Sequence, residues 1–308
     1  MESWQALGGL GAGRKATVII VTLLTILLAF GCAPQWLPGY PSGKVIVAVG
    51  DIATCSSAAD EATARLVGGV DASSTVLPLG DNAYESGAPS EFAECYKPTW
   101  SRFKDRTKPV PGNHEYNTSQ AKGYFGYFGK AAGEPGKGYY SYDLGGWHIV
   151  ALNSNCAEVG CQASSPQLSW LRADLAKDAK TCTLAYFHYP LFSSGEYRPG
   201  IRQVKPLWEA LYAADADVVL NGHDHNYQRF APQDPHGRAD PKRGIREFVV
   251  GTGGRSHYSI LEPIANSEVY NDETYGVLKL TLNPKGYEWR FLPVEGETFT
   301  DSGSARCH

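Results

Sequence analysis

From Lys44 onward the chain alternates short apolar runs with polar tips. "KVIVAVGD" (44–51), "TVLPLGD" (75–81), "KPVPGNHE" (108–115), "CTLAYFHYP" (182–190) and "ADVVLNGHDH" (216–225) each join an apolar, mostly β-branched stretch to a carboxylate or imidazole. Runs this short predict strands. "YYSYDL", "WHIVALN", "REFVVGT", "YGVLKLTL" and "YEWRFLP" read the same way, several with the period-two alternation that sends successive side chains to opposite faces. Apolar residues three and four apart predict helices over 58–70, 166–178 and 201–213, and Ser165-Pro166 supplies an N-cap followed by Pro at the first helical position. Strand–helix alternation followed by a strand-rich tail predicts a mixed α/β fold. Its form would be two packed mixed β-sheets flanked by helices, a four-layer α/β/β/α sandwich.

The first 32 residues follow another pattern. Arg14-Lys15 precede an apolar, Thr-containing run from Ala16 to Phe30, and then Gly31-Cys32. A basic start, an apolar stretch and small residues after it predict an export signal. The run is shorter than the ~20 residues of a spanning helix. Ala29-Phe30-Gly31-Cys32 has the look of a bacterial lipobox, so membrane attachment through a lipidated Cys32 stands beside a plain signal peptide or an uncleaved anchor. Residues 33–43, "APQWLPGYPSG", form a Pro/Gly-rich tether, and 44–308 is expected to be one domain. The protein is thus expected outside the cytoplasm, secreted or membrane-anchored.

The formal charge of -4, with no basic stripe, argues against nucleic-acid binding. Beyond Cys32 stand Cys55, Cys95, Cys156, Cys161, Cys182 and Cys307, an even number that predicts disulfides in an exported chain. Cys156 with Cys161 would close a short loop, and Cys307 with Cys182 would tie down the C-terminus. None has the spacing of a zinc knuckle. Asn117, in "NTS", is a glycosylation sequon.

The strand tips carry the candidate chemistry: Asp51, Asp81, Asn113-His114, His188 and His223-His225, with Tyr84 three residues after Asp81. Each has an ordinary reading as a turn or capping residue. Together they are a set of carboxylate, imidazole and amide donors, and in open α/β sheets such tips converge beyond the carboxyl ends of the strands. Mixed N/O donors suit first-row metals, and there are too many for one tetrahedral ion, so two metal ions bridged by a carboxylate fit the count.

These residues resemble a known family. Gly50-Asp51, Gly80-Asp81-Asn82-Ala83-Tyr84, Gly112-Asn113-His114-Glu115, Ala185-Tyr186-Phe187-His188 and Gly222-His223-Asp224-His225 look like the five blocks of calcineurin-like metallophosphoesterases, in the same order. "GDNAY" and "GHDHNYQR" are similar to the purple acid phosphatase branch. The resemblance implies that Asp51, Tyr84 and His225 hold Fe(III), that Asn113, His188 and His223 hold Fe, Zn or Mn, and that Asp81 bridges the two. It implies further that His114 contacts the phosphate or the leaving group. The usual D-x-H block reads Asp51-Ile52-Ala53 here, the gap that the resemblance implies if Tyr84 takes the place of the missing His.

The activity so implied is a metal-dependent phosphatase cleaving phosphomonoesters by attack of a metal-bound hydroxide. A phosphodiesterase or nucleotide hydrolase with the same metals, and a non-catalytic envelope binding protein, are the alternatives. Around the centre, Glu115 is expected to orient a ligand, and Asp224 to face away. His257, Tyr189 and Tyr197 are candidates for the substrate mouth, set against a plain loop held by Gly253-Gly254. Tyr227 and Arg229 are placed beneath the metal loop, Arg229 holding a carboxylate there. His148 is assigned to a sheet face and Trp170 and Trp208 to the core.

Overall fold

A computed structural model describes residues 43–178 and 180–308, so the readings of an export signal and of most of the tether lie outside the described residues. The strands are β1 (Lys44–Val49), β2 (Thr75–Pro78), β3 (Tyr140–Leu144), β4 (Trp147–Ala151), β5 (Cys182–Tyr186), β6 (Val218–Asn221), β7 (Tyr227–Phe230), β8 (Arg246–Val250), β9 (Ser267–Asn271), β10 (Gly276–Asn283), β11 (Gly286–Pro293) and β12 (Ser302–Arg306). The helices are α1 (Ala59–Gly69), α2 (Pro89–Glu91), α3 (Lys97–Trp100), α4 (Lys122–Phe128), α5 (Cys156–Val159), α6 (Pro166–Leu175) and α7 (Lys205–Ala213). One sheet runs β12-β11-β10-β1-β2 and the other β3-β4-β5-β6-β8-β7-β9. Both mix parallel and antiparallel neighbours, as the pattern of runs predicts.

Period-two alternation sorts the side chains of the longer sheet. Ile149 and Ala151, Leu184 and Tyr186, Val218 and Leu220, and Phe248 and Val250 enter a core shared with Ile46, Val47, Val76, Leu278 and Leu280 of the other sheet. Their neighbours Val150, Ala185, Phe187 and Val219 enter a second core with Leu168 and Leu171 of α6 and Leu207, Trp208 and Leu211 of α7. Each strand thus buries both faces, which accounts for its continuous apolar run. Trp208 is fully buried, whereas Trp170 is only half-buried and packs on the Tyr139 ring at 4.9 Å.

The strand expected over 108–115 does not form a ladder. Thr107 makes a single parallel bridge to Val76, and Lys108 N and Val110 N donate to Val76 O and Pro78 O at 2.8 and 3.0 Å. Pro109 and Pro111 have no N–H to give, so the segment runs extended along β2 without becoming a strand. The Ser165 hydroxyl caps α6 by accepting from Leu168 N at 3.2 Å, as expected. The helix predicted over 201–213 is a 3₁₀ turn (Arg202–Val204) followed by α7, because Pro206 fits only the first turn of an α-helix. The structure forms the disulfides Cys156–Cys161 and Cys182–Cys307 that the spacing predicts, and a third, Cys55–Cys95.

The parallel strands set the site. β1 pairs parallel with β2, and β4, β5, β6 and β8 are mutually parallel, so within each sheet their carboxyl ends share an edge. Gly50 N donates to Val250 O at 2.8 Å and joins the two edges where the polar tips begin.

Candidate metal centre

The chain leaves these strands through unusual turns. Asp51, Asp81 and His223 hold φ values of 61°, 49° and 72°, the left-handed region that non-glycine residues seldom occupy. Strain of this kind persists where surrounding contacts enforce it, and it concentrates at functional sites. The contacts are visible here. Asp51 Oδ2 accepts from His223 N at 2.8 Å, and Asp81 Oδ1 accepts from His114 N at 2.9 Å. A Cβ on Gly112 would stand 2.1 Å from Asp81 Oδ1, so only glycine lets the Asn113-His114 turn come this close.

One oxygen of each carboxylate is thereby fixed, and the other faces the centre. Asp51 Oδ1 receives the Tyr84 hydroxyl at 2.9 Å and lies 3.3 Å from His225 Nε2. Asp81 Oδ2 lies 3.2 Å from His188 Nε2 and 3.3 Å from the Tyr84 hydroxyl. Asn113 Oδ1 is 3.1 Å from His188 Nε2, and His225 Nε2 is 3.2 Å from the Tyr84 oxygen. Ligand atoms of Asp81, His188 and His223 fall within 4.8 Å of one another. The structure therefore brings together Asp51, Asp81, Tyr84, Asn113, His188, His223 and His225, all buried except the half-buried Asn113.

The histidines are oriented from behind. His188 Nδ1 donates to Leu79 O at 2.9 Å and His225 Nδ1 to Ser256 O at 2.7 Å. Each Nε2 is then left as a lone pair aimed at other acceptors: Asn113 Oδ1 and Asp81 Oδ2 for His188, Asp51 Oδ1 for His225. The Tyr84 hydroxyl has one proton for all of these acceptors, and the rest repel unless a positive charge stands among them. The titration behaviour follows. Burial opposes charge on His188, yet Asp81 beside it pushes the imidazole up to about 9. His225 is likewise raised, against burial, by Asp51. Burial and the neighbouring His188 push His223 down to about 3, so it stays neutral and free to donate its lone pair. Both Asp51 and Asp81 resist the effect of burial and are held below the usual carboxylate range by His225 and His188 respectively. Bound cations would serve the same lone pairs as these protons, so the donor set fits a metal centre.

Tyr84 points the same way. Burial and the charges of Asp51 and Asp81 push its hydroxyl well above the ordinary value. Only a strongly charged cation against the oxygen would make it a phenolate, and a hard phenolate in turn favours a small trivalent ion.

The surrounding residues depart in part from expectation. Glu115 reaches the ligands through backbone, not through their side chains: its carboxylate accepts from Asp81 N, Asn82 N and Gly112 N at 3.0, 2.8 and 2.7 Å. Asp224 does face away, but it anchors a loop, accepting from the Ser193 hydroxyl and from Glu196 N at 3.2 Å. That loop brings the Tyr197 ring to 4.0 Å from His223, with Tyr189 at 4.4 Å. His114 sits at the rim, its Nε2 3.8 Å from Asp81 Oδ2 and its Nδ1 2.7 Å from Glu85 O. The Asn117 amide also donates to Glu85 O, at 3.2 Å, so the sequon lies beside this rim.

His257 turns to the backbone, Nδ1 against His225 O at 3.3 Å and its ring against Tyr275 at 4.1 Å. Arg229 does hold a carboxylate, but that of Asp301, beside β12 of the other sheet, at 2.7 and 3.1 Å. Tyr227 donates to the same carboxylate at 2.7 Å. His148, on β4, bonds Asp174 and Asp143 at 2.9 and 3.2 Å. Sequence reading missed Tyr258, whose ring stacks on His225 at 3.9 Å, and Arg255, whose guanidinium lies 4.9 Å over the Tyr84 ring.

A family model, the calcineurin-like phosphoesterase, matches residues 44–227, a span that holds all seven converging residues. The chain belongs to the calcineurin-like phosphoesterase family. It is 29% identical to purple acid phosphatase 15 of Arabidopsis thaliana over 76% of this chain and 49% of that protein. It is 30% identical to purple acid phosphatase 21 of the same plant over 53% of this chain and 41% of that one. The chain thus spans about half the length of the curated relatives it matches. Purple acid phosphatase PPD1 from yellow lupin (Lupinus luteus) seeds shares the fold, with a TM-score of 0.72 at 18% identity, covering 88% of this chain and 55% of that one. The two-sheet α/β architecture of this chain is therefore that of its structural neighbour.

Proposed function

We propose that the chain hydrolyses phosphomonoesters outside the cytoplasm at a centre of two metal ions. The observation that supports this best is the convergence of metal-ligating side chains, four of which, Asp51, Asp81, His188 and His225, are steered from behind by a backbone N–H or C=O. Asp51, Tyr84 and His225 would hold Fe(III); Asn113, His188 and His223 would hold Fe, Zn or Mn; Asp81 would serve both. Bound there, the cations would make hydroxide available near neutral pH and neutralise phosphate oxygens.

The chain's own groups do the rest. His114, half-buried at the rim, would donate a proton or a charged hydrogen bond to the leaving oxygen. Tyr189, Tyr197 and Tyr258 cover the His223 and His225 rings and would limit water on that side. The relatives named acid phosphatases support the monoester reading.

Rates on an aryl phosphomonoester and the matching diester test it. Faster monoester cleavage is expected. Diester preference would replace the substrate class, and absence of both rates in metal-replete protein would remove the enzyme reading. The export proposal rests on Arg14-Lys15 and the apolar run that follows. Mass analysis of the mature N-terminus and of Cys32 should find processing near residue 32, and an intact cytoplasmic chain would contradict it.

A further inference from the structure

The loop from Gly251 to Tyr258 touches every residue assigned to the Tyr84 side of the centre. Arg255 N donates to Asp51 O at 3.0 Å, Ser256 O accepts from His225 Nδ1 at 2.7 Å, and Tyr258 N donates to His225 O at 3.0 Å. A Cβ on Gly253 would stand 2.4 Å from Gly50 O, so the loop lies flat on the Asp51 turn. Its one charged side chain, Arg255, then reaches Tyr84. The guanidinium carbon stands 4.9 Å from the ring centroid, over the face. The terminal nitrogens grip Glu85 at 2.6 and 3.0 Å. The Arg255 side chain is 27% exposed and that of Glu85 60%, so solvent screens the carboxylate more than the cation.

We propose that Arg255 is a positioning residue that sets the energy of the Tyr84 oxygen toward its metal ion, with Glu85 tempering the effect. The carboxylates of Asp51 and Asp81, 2.9 and 3.3 Å from the Tyr84 oxygen, oppose negative charge there. A cation over the ring face offsets them, because the ring's electrons and the phenolate charge both lie lower in its field. Arginine suits the place: its planar fork lies on the ring while holding a carboxylate by two contacts, which a lysine ammonium does not reproduce.

This inference rests on Tyr84 binding Fe(III), and its test keeps the two apart. The readout is the visible charge-transfer band of the metal-loaded chain, in which an electron moves from phenolate to iron. A positive charge on the ring lowers the donor orbital and raises the transition energy. Arg255→Gln should therefore move the band to longer wavelength and Glu85→Gln to shorter wavelength. Arg255→Lys should fall between wild type and Arg255→Gln. Mere loosening of the site would move both neutral variants the same way.

A coloured wild type whose band stays put in Arg255→Gln, or shifts of equal sign in the two variants, would overturn the inference alone. A colourless, iron-free wild type would overturn the Tyr84 assignment and the inference with it. If Arg255→Gln fails to fold, Glu85→Gln decides: a shift to shorter wavelength supports the proposal, and none, or the reverse, refutes it.

Discussion

Glu115→Gln keeps the shape of a fully buried side chain and replaces one of its two acceptor oxygens with an NH₂ donor. In the wild type, Oε1 accepts from Asn82 N at 2.8 Å, with Ala83 N at 3.4 Å, while Oε2 accepts from Asp81 N at 3.0 Å and Gly112 N at 2.7 Å. A glutamine amide offers an oxygen to only one of these pairs and turns an NH₂ toward the other. Two buried N–H groups then lose their acceptor, at about 1–3 kcal/mol each, or roughly 2–6 kcal/mol together. That is a large share of the ~5–15 kcal/mol by which a domain is stable. The same bonds tie the Asp81 turn to the Gly112-Asn113 turn, so the separation of Asp81 from Asn113 should loosen. Metal affinity should fall by about 10–100-fold, the usual effect of losing a partner that orients ligands. Urea unfolding of metal-loaded protein at neutral pH, with competitive chelator titration, measures both. A variant within ~0.5 kcal/mol of wild type and with the same metal affinity would refute the reasoning, since that is the scatter of a neutral surface substitution.

Tyr84→Phe should abolish the visible band and lower iron retention while leaving the second ion in place, as metal analysis would show. Opening the disulfides should have unequal effects. Cys182–Cys307 closes 125 residues and its loss should cost ~5 kcal/mol, whereas Cys156–Cys161 closes 5 and its loss should cost ~2 kcal/mol, as melting of the Ser variants would report. Although burial opposes charge on His148, bonds to Asp174 and Asp143 raise it above 6.5, with Asp178 4.0 Å away. A raised value means a stabilisation present in full below pH 6.5 and lost as pH climbs through the folded value. His148→Gln should therefore flatten the stability profile above pH 6.5, and an unchanged profile would contradict this. Asp224→Ala should free the 193–197 loop, speeding its proteolysis and raising KM more than it lowers kcat.

The ends of β1, β2, β5 and β6 were legible because an apolar run that stops at a polar tip is written locally. The geometry between them was not. Nothing in the spacing of "GTGGRSHYS" says that Arg255 crosses to a ring 171 positions earlier, or that Ser256 supplies the carbonyl for His225. Asp224 was legible as a residue that is not a ligand, but its grip on Ser193 is a tertiary fact. β12, "SGSAR", eluded the reading because its burial alternates without apolar residues to mark it. The Pro109-Val110-Pro111 segment misled in the other direction, since apolar composition suggested a strand where two missing N–H groups forbid a ladder.

If six buried donors and the half-buried Asn113 hold two metal ions that the chain needs for phosphate ester cleavage, metal content and activity should rise and fall together. Metal analysis of the purified protein, alongside hydrolysis of an aryl phosphomonoester before and after chelation and again on restoring metal, tests it directly. Two ions per chain are expected, iron among them, with activity lost and regained in step with occupancy. One ion or none in a fully active protein, or activity indifferent to chelation, would contradict it.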